Sequence, residues 1–473
     1  MSVQILLSGK LLGIEEFVLS AEEARVLVGR AQWITLLGEV LPRALLAEFG
    51  LARVLLGSSG GGQFLLVLPG EAKAPAEEFL AAAAREMDEI GGGRLKLVWA
   101  VTENLGEWSV VRKRLAEALK RKVGAEAAGW QMEAFQPHIA PRPADGSEYF
   151  RELAAGLWQA ESVGWNPESP ARIVLGAGKH TWSLRDDLPL ARHAAPSEDG
   201  AAPAKLAAMG RRSEGRKAWG VLRGDVDSFR IRLRRAETIE EHVRVSVLYK
   251  QFFAGELEVL CSQPEFWRKV TILYSGGDDF AVCGAWDALI PLAREMQRLF
   301  HRFTEENLKE LPGPEGKTIS MAVALAADPS ATLAWVYEDA GTRLERAKDL
   351  DKDCISVLGR VLEWRYLADA AELKETLARM VADFGPTSQL LSELSGFYRK
   401  GGQTWSHGTE QRFDRPWRFQ RRLNRVLVGA KDREVQKLRA HLANEMMGRG
   451  AAQVKLRPAG LVALEWARLT TEG

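Results

Sequence analysis

One six-residue turn occurs twice in this chain, once with acids and once without. Ser275-Gly276-Gly277-Asp278-Asp279-Phe280 has its counterpart in Ser59-Gly60-Gly61-Gly62-Gln63-Phe64. Each turn separates two short apolar runs, the pattern of a hairpin. Upstream, Gly9-Lys10 matches Gly224-Asp225. The spacing agrees: 52 positions from Lys10 to Gly62, and 53 from Asp225 to Asp278. Internal self-similarity of this kind constrains the fold more than any local propensity, because it demands two copies of one architecture.

The order of elements is the same in both copies. The first reads strand 3–7, helix 21–49, strand 52–56, glycine turn 58–62, strand 64–68, helix 74–90, strand 95–101 and helix 105–119. The second reads strand 219–222, helix 239–260, strand 270–274, turn 275–277, strand 280–283, helix 286–307, strand 318–324, helix 333–348 and strand 354–358. This alternation predicts an α+β fold: two ferredoxin-like palm domains forming a pseudo-dimer, each with helices on one face of an antiparallel sheet. The first palm, 1–123, has no acidic site, since Lys10, Leu12, Gly62 and Gln63 stand where Asp225, Asp227, Asp278 and Asp279 stand in the other. Residues 124–217 read as a small linking domain, with Trp130, Trp158, Trp165 and Trp182 in its packed front half and a loop-like, mobile tail from Ala194. The second palm covers 218–359. Residues 360–473 read as a C-terminal helical bundle with helices at 361–384, 387–400, 417–428 and 432–447.

The chemistry lies at the strand ends of the second copy. Asp225 and Asp227 end one apolar run, and Asp278 and Asp279 follow another, so neighbouring strands can deliver several carboxylates to one spot. Hard divalent cations take such oxygen ligands and keep positions open for substrate phosphates. Asp225, Asp278 and Asp279 are the first candidates; Asp227 is a metal ligand or a cap of the next segment. Gly276-Gly277 permits a tight turn with φ > 0 and close approach of a phosphate to the backbone. The bland reading of the turn is an ordinary Asp-rich hairpin. Lys348 is a point-charge partner for a triphosphate or a cation favoured at a helix C-terminus; Lys352 reads as the latter. Ser320 packs in the core or on the sheet face, or faces the cleft, with packing the favoured reading. Arg412, Arg415, Arg418, Arg421, Arg422 and Arg425, with Phe413, Trp417 and Phe419 among them, form an RNA- or subunit-contacting face or a solvated helix face.

Composition removes other classes. The 46% hydrophobic and 27% charged content supports an ample globular core, and a net charge of +1 leaves any basic surface local. The 3 cysteines, Cys261, Cys283 and Cys354, form no Cys-x-x-Cys, which fits a reducing cytoplasm and predicts no zinc site. No apolar run reaches the ~18 residues of a membrane span. There is no P-loop and no His-Asp dipeptide.

In this order the motifs resemble the large polymerase/cyclase subunit of type III CRISPR effector complexes, whose palms are nucleotide-cyclase-like. Gly13-Ile14-Glu15-Glu16-Phe17 is similar to that family's Gly-Ile-Gln-x-Phe, and Leu27-Val28-Gly29-Arg30-Ala31 to its Leu-Arg-Gly-Arg-Ser. Leu222-Arg223-Gly224-Asp225-Val226-Asp227 is similar to Leu-x-Ala-Asp-Val-Asp, Gly284-Ala285-Trp286-Asp287 to Gly-x-Trp-Asp, and Arg346-Ala347-Lys348 to Glu-x-Ala-Lys.

The resemblance implies an enzyme that polymerises ATP into cyclic oligoadenylates with 3′–5′ bonds, using Mg²⁺ or Mn²⁺, when a guide RNA pairs with a target RNA. It implies that Asp225, Asp278 and Asp279, with Asp227, hold metal. It also implies that Ser275, Gly276, Gly277 and Lys348 face Gly60, Gly61 and Gly62 across a nucleotide cleft. The implied partners are a small helical subunit, backbone subunits and the subunit that binds the guide's 5′ handle.

The chain departs from the family in four places. It opens at the first palm, without an HD nuclease domain, so no DNase activity is expected. No cysteine lies between the palms, which again predicts no zinc. Gly224 in place of Ala is expected to be harmless, and Ser320-Met321-Ala322 replaces Ser-x-Gly. The alternatives are a catalytically idle scaffold of the ribonucleoprotein and a diguanylate-type cyclase, which works as a dimer of identical acidic copies.

Overall fold

The computed structural model describes residues 3–133, 146–188, 190–328, 330–350, 352–384, 388–396, 416–426, 433–449 and 454–472. The first palm opens with strand β1 (Gln4–Leu12), whose alternating residues serve both faces of the sheet. Gly13, at φ 76, turns the chain into a short helix α1 (Ile14–Leu19), which was not expected, before the long α2 (Ala24–Glu48), which is the helix expected over 21–49. A 3-10 turn at Arg53–Leu55 takes the place of the expected strand 52–56, and β2 (Leu56–Gly60) starts at its end. Then come β3 (Gln63–Pro69), α3 (Lys73–Gly91), β4 (Lys96–Glu103) and α4 (Trp108–Glu133). The strands form an antiparallel sheet of order β2-β3-β1-β4. Leu7, Leu66, Leu68 and Leu97 pack under α2 and α3. Leu6, Leu65 and Ala100 face the other way, beneath Trp108, Val111 and Leu115 of α4.

Helix α4 runs through the expected break at 123/124. Beyond it, α5 (Ser147–Gly156) packs on α2 through a cluster of Phe150, Trp33 and Phe17. Three short strands, β5 (Ser162–Trp165), β6 (Ile173–Leu175) and β7 (His180–Ser183), make a small sheet of order β6-β5-β7. The tail that follows is not a free loop. Ala194 bridges to Thr271, the backbone of Arg192 and His193 donates to Glu258, and Met209 of helix α6 (Leu206–Arg211) is buried. Its polar composition hid these anchors, which are single contacts with no period.

The second palm comprises β8 (Trp219–Val226), α7 (Phe229–Arg234), α8 (Ile239–Cys261), β9 (Val270–Ser275), β10 (Asp279–Ala285), α9 (Trp286–Asn307), β11 (Ile319–Leu325), α10 (Leu333–Leu350), β12 (Cys354–Val357) and β13 (Arg360–Glu363). Its sheet has 6 strands in the order β13-β12-β11-β8-β10-β9. Two expectations change. The sheet is mixed, because β12 lies parallel to β11. Helices cover both faces, because a parallel pair needs a crossover and α10 supplies it on the side opposite α8 and α9. Leu222, Phe280, Val282 and Met321 meet Phe253 and Trp286 on one face. Val221, Ala281, Cys283 and Ala324 meet Val336 and Ala340 of α10 on the other, in a core continuous with that of the first palm.

The palms pack reciprocally. Helix α2 lies against β9, and α8 lies against β2. Buried Glu39 on α2 accepts from Arg43 and from Lys250 of α8, and Lys250 also donates to Ser59 at 3.0 Å. Burial raises the Glu39 carboxyl, but the two cations more than offset it and hold it below its ordinary value.

Among the described residues, the C-terminal part is helical apart from one ribbon. It contains α11 (Trp364–Phe384), α12 (Ser388–Ser395), α13 (Pro416–Val426), α14 (Arg433–Met446), the ribbon β14 (Met447–Arg449) with β15 (Val454–Leu456), and α15 (Pro458–Thr471). Strand β13 belongs to the palm sheet, so the palm extends past 359. On α13, Phe419 and Leu423 are buried while Arg418, Arg421 and Arg425 are exposed. Arg412, Phe413 and Arg415 lie outside the described residues.

Candidate active site

Strand pairing brings the acidic residues together. Asp279 stands directly opposite Asp225 on adjacent antiparallel strands, and the Val226 amide donates to the Asp278 carbonyl at 2.8 Å. Asp278 therefore occupies the hairpin tip beyond that pair. The tip is closed by the Gly276 amide, which donates to the Asp279 carbonyl at 2.7 Å. The glycines do not serve as expected. Neither Gly276 nor Gly277 has positive φ. Gly276 is needed for space, since a Cβ there would lie 2.0 Å from Asp279 Oδ1.

The acid-free turn does use the left-handed region, with Gly60, Gly61 and Gly62 at φ 138, 56 and 70. The two turns face each other: a Cβ on Gly60 would lie 3.5 Å from the Gly277 amide nitrogen. Between the palms is a cleft of about 240 Å³. Ser275, Gly276 and Asp279 line it from one side and Gly60, Gly61 and Gly62 from the other. Asp225, Asp278, Gly277 and Lys348 are not part of its wall; they border the same turn and strand end. The remainder is largely apolar, with Leu27, Ala31, Ile34 and Leu273 among its side chains.

Charge at the tip is under-compensated. Burial first, and then the charge of Asp279, push the Asp278 carboxyl up to about 7. Burial also raises Asp279, against the pull of a hydrogen bond from the Tyr274 hydroxyl at 3.1 Å and of the Arg223 charge. Asp225 is held by the ammonium of Lys348 on α10. Burial first, and then the neighbouring Lys352, pull that ammonium down to about 8. Lys352 itself donates to Ser228 at 2.7 Å.

Asp227 has a different task from the metal ligation expected of it. It is 2% exposed. Its Oδ1 accepts from Ser320 Oγ at 2.9 Å, and its Oδ2 accepts from Thr318 Oγ1 at 2.8 Å and the Asp353 amide at 2.9 Å. Both oxygens are occupied, so it ties β8 to β11 and to the turn before β12. Ser320 is accordingly core.

The remaining donor set fits a hard divalent cation in its chemistry: three carboxylates, two of them raised above all by burial, with a lysine ammonium at the third. Among the described residues no three His, Cys, Asp or Glu side chains are yet drawn together as a metal centre. Lys348 and Tyr274 engage only the Oδ2 atoms of Asp225 and Asp279, respectively.

Sequence reasoning missed Arg223, Tyr274 and Tyr337, which line the cleft. Arg223 was within reach, because it lies two residues before Asp225 and so shares its face of the strand.

Comparison with known proteins places this geometry. Residues 218–356 match the family model of the Cas10/Cmr2 second palm domain. The chain is 26% identical over 196 residues to the CRISPR system single-strand-specific deoxyribonuclease Cas10/Csm1 (subtype III-A) of Mycobacterium tuberculosis. That match covers 37% of this chain and 23% of that protein. The apo Csm1–Csm4 cassette superposes with a TM-score of 0.71 at 18% identity, over 99% of this chain and 70% of that one. A Csm1–Csm4 cassette in complex with cA4 gives 0.69 at 18% identity, with the same coverage of 99% and 70%. Over residues 218–356 this chain is thus similar to the second palm domain of Cas10/Cmr2 proteins.

Proposed function

We propose that this chain is the subunit of a type III CRISPR effector complex that joins ATP into cyclic oligoadenylates by 3′–5′ nucleotidyl transfer. The observation that carries the reading is the placement of Asp225, Asp278 and Asp279 at one strand end, across a shared cleft from the acid-free glycine turn. A Csm1–Csm4 cassette of the same fold has been solved in complex with cA4, which supports a nucleotide ligand for this fold.

In this reading Asp225, Asp278 and Asp279 hold Mg²⁺ or Mn²⁺, and Asp227 positions the strand that bears Asp225. Bound there, the cation neutralises charge on the α-phosphate and the departing pyrophosphate. The chain's own residues do the rest. The apolar wall of Leu27, Ala31 and Ile34 takes a base and excludes water. The glycine turns let phosphates approach the backbone, and Lys348, once displaced from Asp225, provides a mobile positive charge for the triphosphate. The 3′-oxygen of one ATP bonds to the α-phosphorus of the next, the bond to pyrophosphate breaks, and the hydroxyl proton leaves to solvent. Positioning and charge neutralisation account for the rate without a dedicated base.

The partners in this reading are a Csm4-like subunit, a small helical subunit, backbone subunits, and guide and target RNA. The compartment is the cytoplasm. No described helix is long and apolar enough to cross a membrane. We assign no deoxyribonuclease step to the palms.

The test is the purified complex given ATP, Mg²⁺ and target RNA. The expected result is oligoadenylate from the wild type and a loss of at least about a hundredfold in Asp278→Asn/Asp279→Asn, the scale of removing electrostatic stabilisation of the transition state. Undiminished product from that variant overturns the reading. No product from wild type with any target favours the idle scaffold, and a GTP-dependent product from the free chain favours the dimeric cyclase.

A further inference from the structure

Arg223 is built into the cleft and left without a strong partner. It shares the sheet face of Asp225, about 6–7 Å farther along β8 from the acidic tip. Helix α10 is shaped to receive its guanidinium. The Tyr337 ring lies beneath it, 4.1 Å from Cζ to the ring centroid. One turn on, Gly341 leaves room that a side chain would fill, since a Cβ there would stand 2.3 Å from Nη1. Glycine in a helix interior costs stability, so this notch has to be offset by what it accommodates.

The guanidinium so placed is underused. Among the described residues its nearest carboxylate is Glu15, at 3.7 Å, and the Glu15 side chain is 66% exposed. Its Nε is buried and has no hydrogen-bond partner there. The other cation of the cleft wall, Lys250, is committed to Glu39 and Ser59. Exposed ion pairs contribute little, so Glu15 is a displaceable partner.

We propose that Arg223 is a phosphate-binding residue of this cleft. It would take the phosphates of the nucleotide on the first-palm side, while Lys348 serves the one at the Asp225 edge. A guanidinium held over a ring presents its N–H groups as a fork that matches two phosphate oxygens, which a lysine cannot reproduce. Glu15 gives way when the phosphate enters. The inference rests on the nucleotidyl-transfer reading and adds a residue that the acidic motif does not contain.

The experiment is a binding titration of the full chain, with Mg²⁺, using a non-hydrolysable ATP analogue and adenosine as probes. Arg223→Ala is expected to weaken the analogue roughly tenfold to a hundredfold, the scale of a charge-assisted hydrogen bond, and to leave adenosine unchanged. Arg223→Lys recovers part of the loss. Glu15→Gln, which removes the competitor without touching the α10 notch, tightens the analogue. Equal weakening of both probes by Arg223→Ala, or no change in the analogue with either variant, overturns the proposal and leaves Arg223 as a prop for Tyr337. If the wild-type chain binds neither probe, the nucleotidyl-transfer reading falls as well.

Discussion

Asp278 ordinarily would ionise near 3.8, and in this fold it does so at about 7. Between those values the folded chain keeps a proton that the unfolded chain has released. Stability contributed through this group is therefore highest at low pH, falls as pH rises from about 4 to about 7, and stays low above that. Two buried carboxylates side by side therefore cost stability at neutral pH. Asp278→Asn removes the penalty. In metal-free buffer at pH 7.5 the variant should melt about 2–8 °C above the wild type, each kcal/mol moving the midpoint of a domain of this size by roughly 2–4 °C. The gain should shrink at pH 5, where wild-type Asp278 is mostly protonated. An equal difference at both pH values would mean that the carboxylate is not under strain. Asp227 is the contrast: also buried, but satisfied by three donors.

At the scale of elements, the repeat is built on one pairing that occurs in both sheets. Gly9 stands opposite Phe64, and Gly224 stands opposite Phe280. In each case the ring lies over the glycine: a Cβ on Gly9 would be 2.2 Å from Phe64 Cζ, and one on Gly224 would be 2.4 Å from Phe280 Cε1. Gly224 is accommodated here, whereas the alanine of the family motif would meet the Phe280 ring. Gly224→Ala should force Phe280 off its seat beside the acidic turn and cost about 1–3 kcal/mol, the range for overpacking a core. Urea unfolding of the full chain measures it; a change below about 0.5 kcal/mol would show that the ring moves freely.

This pairing also explains what the sequence could disclose. The Ser-Gly-Gly turn, the strand before it and the glycine opposite its Phe recur at the same spacing, so the placement of Asp225 beside Asp279 followed from register alone. The helix α10 crossover to the far face did not follow, because amphipathic periodicity tells that a helix has a buried side without telling which sheet face it covers. Nor did the task of Asp227. Its partners Thr318, Ser320 and Asp353 lie 91, 93 and 126 residues away and carry no local signal. The pairing of Lys348 with Asp225, 123 residues apart, was equally beyond reach of spacing arguments.

At the scale of the molecule, two unequal copies share one cleft. The contacts of α2 with β9 and of α8 with β2 follow an approximate twofold, yet the sides differ in chemistry. Around Ser59 the side chains are already satisfied by Lys250 and Glu39, whereas the Ser275 hydroxyl is buried without a partner among the described residues. The acid-free copy is a finished wall, and the acidic copy is open to a ligand. A single chain thereby obtains the two-sided cleft that a homodimer would build from identical halves, with the paired aspartates of the turn on one side only.

The most direct test of that asymmetry is anomalous scattering from crystals soaked with Mn²⁺ and a non-hydrolysable ATP analogue. The account predicts manganese among Asp225, Asp278 and Asp279, with Lys348 released from Asp225 and nucleotide phosphates in the inter-palm cleft. Nucleotide bound outside that cleft, or manganese absent from these carboxylates while nucleotide occupies it, would contradict it.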